Sequence, residues 1–134
     1  MSHEERESFL AAVHVGVLSV ARPDGPPLMT PIWYRYADGV VQMATQHSSH
    51  KVRLMQSTGV ASLCVQREEH PPAFVTVDGP VSVSPASRDD IVPIASRYLP
   101  ANEALAFADS TPDDVIVTLT PTRWFSIDFT KLPG

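Results

Sequence analysis

Apolar positions recur along the chain with two periods, and the switches between them mark out its elements. Ser2 to Val13 carries Phe9, Leu10 and Val13 at helical spacing behind an acidic first turn, which predicts a short amphipathic helix. Val15 to Ala21 is an apolar, β-branched run and predicts a strand. The turn cluster from Arg22 to Pro27, with Asp24 and Gly25 at its centre, predicts a hairpin into the next strand. Leu28 to Tyr36 alternates, with Leu28, Thr30, Ile32 and Tyr34 on one face and Met29, Pro31, Trp33 and Arg35 on the other. Pro31 cannot donate to a ladder, so it predicts an edge, a bulge or a face left open to a ligand. Ala37 to Gly39 is a second hairpin turn, and Val40 to Thr45 the returning strand.

Val52, Leu54 and Met55 give the following segment a helical apolar stripe, which Gly59 is placed to cap. Val60 to Gln66 predicts a strand, Arg67 to Pro72 a loop, and Ala73 to Val83 a long strand interrupted by a bulge or bend at Gly79 and Pro80. Ser87 to Asp90 caps a helical region reaching Tyr98, with Pro93 restricting where the regular helix begins. Ala101 to Ala108 is a further helical piece and Ser110 to Asp113 a loop, and Val115 to Thr120 and Trp124 to Phe129 are the last strands. Six to seven short strands with two to four modest helices predict a mainly β, α+β domain. It is an antiparallel barrel, closed or partly closed, with helices packed outside. The chain has 134 residues and no long internal linker, so residues 1–134 are expected to form a single domain.

Charge changes the picture at one stretch. The chain is acidic, with 10 Lys and Arg against 15 Asp and Glu, yet no Asp or Glu occurs from Gly39 to Arg67. Lys51, Arg53, Arg67, His47 and His50 lie in that window, and Lys51 and Arg53 fall at the start of the predicted helix. Cations there oppose the partial positive charge of a helix N-terminus and its unpaired N–H groups unless an anion is present. Two readings fit: a solvated basic helix face, or a site for a phosphate-bearing ligand. The net charge of −5 argues against a general nucleic-acid binder.

The single cysteine, Cys64, rules out an intramolecular disulfide, and its apolar surroundings suggest an inert thiol in a reducing compartment. No apolar run approaches a membrane span, and residues 1–7 lack the apolar core of a signal peptide, so a cytoplasmic protein is expected. His47 and His50 have metal-ligand spacing but no accompanying Cys or third His, so no metal site is expected. Trp33 and Trp124 read as barrel packing before they read as substrate stackers.

The order of parts carries a resemblance. Strand, Pro-rich hairpin, strand, Ala44-Thr45, then Ser48 to Met55 and Val60 to Val65 together resemble the pyridoxamine 5′-phosphate oxidase-like split barrels that bind flavins and deazaflavins. The resemblance spans nearly the whole chain, and its most specific piece is the Ser49-His50-Lys51 helix start just after a strand ending at Thr45. It implies that Ser49, His50 and Lys51 hold the cofactor phosphate with Ala44 and Thr45 beside it. It implies also that Met29, Thr30, Pro31, Ile32, Trp33 and Tyr34 line the cofactor. His50 stands where the pyridoxamine oxidases commonly have Arg.

The segment Arg123 to Phe129, followed by Thr130 to Gly134, does not match the substrate-gripping end of the pyridoxamine oxidases. Pro71 to Pro80 resembles instead the small F420-dependent (deazaflavin) reductases. The resemblance therefore implies an oxidoreductase using F420, with FMN as the alternative cofactor, acting on a small unsaturated substrate as a homodimer with the cofactor at the interface. A cofactor that performs the hydride chemistry leaves the chain no need of an acid–base triad. A non-catalytic flavin or haem carrier is the reading from a different class.

Overall fold

The computed structural model describes residues 1–131; Leu132 to Gly134, part of the terminal segment compared above, lie outside the described residues. Eight strands and four helices follow one another as α1 (His3–Ala11), β1 (Gly16–Arg22), β2 (Gly25–Ile32), β3 (Tyr34–Ala37), β4 (Val40–Gln46), α2 (His50–Thr58), β5 (Val60–Arg67), β6 (Ala73–Pro85), α3 (Arg88–Ala95), α4 (Ala101–Asp109), β7 (Asp114–Leu119) and β8 (Arg123–Asp128). All strand pairs are antiparallel, in the order β2-β1-β5-β6-β7-β4-β3, with β8 paired to β6. The fold is the mainly β, α+β split barrel. The eighth strand arises because the Leu28 to Tyr36 run is broken at Trp33.

Two glycines let the barrel turn its corners. β6 pairs β5 as far as Pro80 and β8 as far as Asp78 and then pairs β7 from Val81, so one strand serves two leaves of sheet. A Cβ added to Gly79 would stand 1.9 Å from the Thr120 carbonyl oxygen. The strand there is continuous rather than interrupted, and close backbone approach is why Gly is needed. Gly59 ends α2 in the left-handed region at φ 72°, its N–H donating to the Met55 carbonyl.

The apolar stripes go where the spacing sends them. Val52, Leu54 and Met55 of α2 join Leu18, Val20, Leu63, Val65, Val75, Val77, Val117 and Leu119 in one core. Leu10 is fully buried, but α1 ends at Ala11 and Val13 is 58% exposed, so the predicted helix was two residues too long. α3 starts at Arg88 on a Ser87–Asp90 capping box and carries Pro93 inside, so the cap and not the proline sets its beginning.

β2 and β3 lie at opposite ends of the strand order yet are consecutive in the chain, and no ladder joins them among the described residues. Pro31 therefore lies on an edge strand, opposite Val17. The β1–β2 ladder continues past it to Gly16 and Ile32, so the free backbone groups of β2 come from its edge position and not from a ladder weakened by proline.

Candidate functional site

β4 delivers the chain to the candidate site. Val41, Met43 and Thr45 point into the core, Ala44 outward, and after Gln46 a short polar loop leads to Ser49, the N-cap of α2. The four helices differ at this point. α1 and α3 begin with acidic residues and capping boxes and α4 has Glu103 in its first turn, whereas the first turn of α2 holds no acidic residue.

Ser49 has the extended backbone of an N-cap, but its side chain makes no capping hydrogen bond. Its Oγ is buried and has no partner among the described residues. Buried hydroxyls are normally satisfied, and an orphan costs about 1 to 3 kcal/mol. The Ser49 hydroxyl is thus an unspent polar group at a helix N-terminus. His50 is exposed and Lys51 half-buried, both in the first turn. Lys51 makes no ion pair within 4.0 Å of a carboxylate among the described residues. Hydroxyl, ammonium and first-turn N–H groups together form a donor set suited to a phosphate.

The residues expected to line a cofactor divide by face. Tyr34 pairs with Met43, which sets Trp33 beside the Ala44–Thr45 end of β4. Met29 and Thr30 belong to the other leaf, opposite Ser19 and Leu18. Met29 and Pro31 are exposed and Thr30 is half-buried. Ile32 is 7% exposed and its side chain belongs to the core.

Tyr34 is fully buried. Its hydroxyl donates to the Leu10 carbonyl at 2.6 Å, and burial holds its ionisation well above the ordinary tyrosine range. Its own backbone N–H and C=O both meet the Tyr98 hydroxyl. Neither end of Tyr34 is left for a ligand, which corrects the expectation that it lines one. The Trp33 indole is stacked on Tyr98, with centroids 4.9 Å apart and planes 9° apart, and tilted against Phe107. It serves as packing between the β2–β3 break and the α3–α4 region.

A cavity of about 820 Å³ opens beside the β4–α2 loop, touching Gln46, His47 and Ser48, and crosses to the α4–β7 loop at Thr111, Asp113 and Asp114. Asp114 is 8% exposed. Burial raises its ionisation above the ordinary aspartate range, Lys51 draws it back down, and Asp113 raises it further. From sequence, residues 110–113 are expected to be a plain loop. The local signal for a site there is an acidic pair, Asp113 and Asp114, set directly against the apolar strand residues Val115 to Leu119. His47 and His50 belong to no group of three or more metal-ligating residues among the described residues.

The profile of the family described as pyridoxamine 5′-phosphate oxidase matches residues 2–128. No curated protein matches the sequence. Among solved structures, a conserved hypothetical protein of Mycobacterium tuberculosis superposes with TM-score 0.81 at 22% identity, covering 100% of this chain and 90% of that one. A protein named F420 reductase gives TM-score 0.67 at 23% identity, covering 89% and 94%. An FAD-binding protein of Mesorhizobium loti gives TM-score 0.67 at 21% identity, covering 94% and 92%. At such identities the likeness is one of fold.

Proposed function

This chain belongs to the pyridoxamine 5′-phosphate oxidase family, and on that premise we propose that it is an oxidoreductase built around a phosphate-bearing flavin-type cofactor, F420 in preference to FMN. The observation that carries the reading is the buried, unpartnered Ser49 hydroxyl at the start of α2. Ser49 donates to a phosphate oxygen, Lys51 supplies a point charge, and the N–H groups of the first turn complete the cradle. Ala44 and Thr45 lead into it, and His50 covers its outer side. The edge backbone of β2 around Thr30 and Pro31, with the exposed Met29, offers polar and apolar contacts to a fused ring. When bound, the cofactor supplies hydride transfer to or from a small unsaturated substrate.

Preference for F420 rests on the Pro71 to Pro80 segment, on His50 in the place of an arginine, and on the fold shared with a protein named F420 reductase. A second copy of the chain completes the groove. The site and the dimer are read together, since the outer face of β2, β1, β5, β6 and β8 carries half-buried and exposed apolar residues.

The test is a binding panel. Purified protein is titrated separately with F420, FMN and haem, following fluorescence for the first two and absorbance for the third. F420 is expected to bind at least about tenfold more tightly than FMN, a difference of about 1.4 kcal/mol, and the reduced complex to transfer hydride to an enone or quinone. Haem binding without either flavin would replace this reading with a carrier.

A further inference from the structure

We propose that the cavity between the β4–α2 loop and the α4–β7 loop binds a small organic ammonium ion, with the Asp114 carboxylate as its principal partner. The residues of the phosphate cradle, Ser49, His50 and Lys51, do not line this cavity, so the inference stands apart from the cofactor reading.

Asp114 is only 8% exposed, yet it lines a cavity of about 820 Å³. No hydrogen bond contributes to its ionisation, and it makes no ion pair among the described residues. Lys51 is near enough for its charge to be felt but stops short of contact. With no protein donor, the carboxylate is met only by solvent from the cavity, and a cation placed against it would gain a charge-assisted contact there.

Gln46, His47, Ser48, Gln56 and Ser84 line the far side of the cavity, and the α4–β7 side, where Asp114 lies, tells which cation. The Ser110 hydroxyl donates to the Phe107 carbonyl at 2.8 Å and the Thr111 hydroxyl to the same carbonyl at 3.1 Å. Their hydrogens are spent and their lone pairs remain, so with Asp113 and Asp114 they form an acceptor-rich wall. Among the described residues no Lys or Arg lines the cavity.

A divalent metal would need several converging oxygen or nitrogen ligands, and no group of three such residues occurs among the described residues. Val83 and Pro85 form apolar wall on the β6 side. A donor-bearing, singly charged head on a short hydrocarbon body fits both kinds of surface, and a primary alkylammonium is the simplest such molecule.

The experiment uses the full chain labelled with ¹⁵N and titrated with n-butylammonium chloride, with n-butanol as the neutral counterpart and sodium chloride at matched ionic strength. Saturable amide shifts at Thr111, Asp114 and Val115 are expected with the ammonium and not with the alcohol or the salt. Asp114→Asn is expected to weaken binding at least about tenfold and Asp113→Asn about threefold, in keeping with a charge-assisted contact against a more exposed one. Equal shifts from n-butanol, no saturable shift, or undiminished binding by Asp114→Asn would each overturn the proposal. Should Asp114→Asn not fold, the comparison of ammonium with alcohol and the Asp113→Asn variant decide the matter.

Discussion

The Tyr98 hydroxyl closes on both backbone groups of Tyr34, 3.2 Å from its nitrogen and 3.1 Å from its carbonyl oxygen, while reaching the His14 carbonyl at 2.6 Å. This one oxygen meets both backbone groups of the first residue of β3, next to the break at Trp33. Tyr98→Phe leaves the Tyr34 N–H without that partner and is expected to cost about 1 to 3 kcal/mol. The urea midpoint should fall while the slope of the transition stays constant. An unchanged midpoint would mean that the hydroxyl holds nothing in place.

Gly79→Ala tests the corner of β6. The added Cβ meets the Thr120 carbonyl oxygen and carbon, which are backbone and cannot rotate away. A loss of about 3 kcal/mol is expected in thermal or urea unfolding, from forced separation of β6 and the β7–β8 connection. A variant as stable as the parent would show that the two segments part freely.

Ser49→Ala separates binding from folding. Because the hydroxyl is buried and makes no capping bond, its removal is expected to raise the stability of the cofactor-free protein by about 1 kcal/mol. The same change should weaken cofactor binding. Lys51→Ala should weaken it by about 1.5 to 3 kcal/mol with little effect on the fold. Calorimetry of both variants, with and without cofactor, checks the pair of signs. A Lys51→Ala protein that binds like the parent removes the cradle.

Asp114 makes stability depend on pH. Its carboxyl ionises above the ordinary aspartate range when folded, chiefly through burial, and near about 3.9 when unfolded. Between those values the folded chain holds the proton that the unfolded chain has lost. The stability this group contributes is therefore full below the unfolded value and is lost as pH rises through the folded one. Urea midpoints of the parent and Asp114→Asn from pH 3.5 to 7 should diverge, the parent falling relative to the variant as pH rises. Parallel curves would contradict the assignment.

Assembly has a structural address. Pro31, Val17, Cys64, Thr76 and Phe125 stand opposite one another in turn across five strands. Phe125 is 56% exposed, and Met29 on the same face is 65% exposed. On the proposed reading this surface is the one that a second copy covers. Sedimentation at micromolar concentration is expected to give a dimer for the parent and a monomer for Phe125→Asp. A monomeric parent would count against the shared cofactor groove.

The sequence by itself determined the elements, because their signals are local. Alternation fixed which faces of β2 and β4 are buried, and helical spacing sent Val52, Leu54 and Met55 to the core. Gly59 capped α2, and the emptying of carboxylates from Gly39 to Arg67 marked the one helix start among the described residues without an acidic residue in its first turn. What only the tertiary structure decided depends on groups far apart in the chain. Strand alternation alone places Tyr34 on a face that could line a ligand, whereas Leu10 and Tyr98, 24 residues before it and 64 after, use its hydroxyl and its backbone. The fate of the Ser49 hydroxyl and the burial of Asp114 beside a cavity are of the same kind. Spacing records which side of an element a residue faces, but whether a polar atom on that side finds a partner is set by whichever distant segment the fold packs against it.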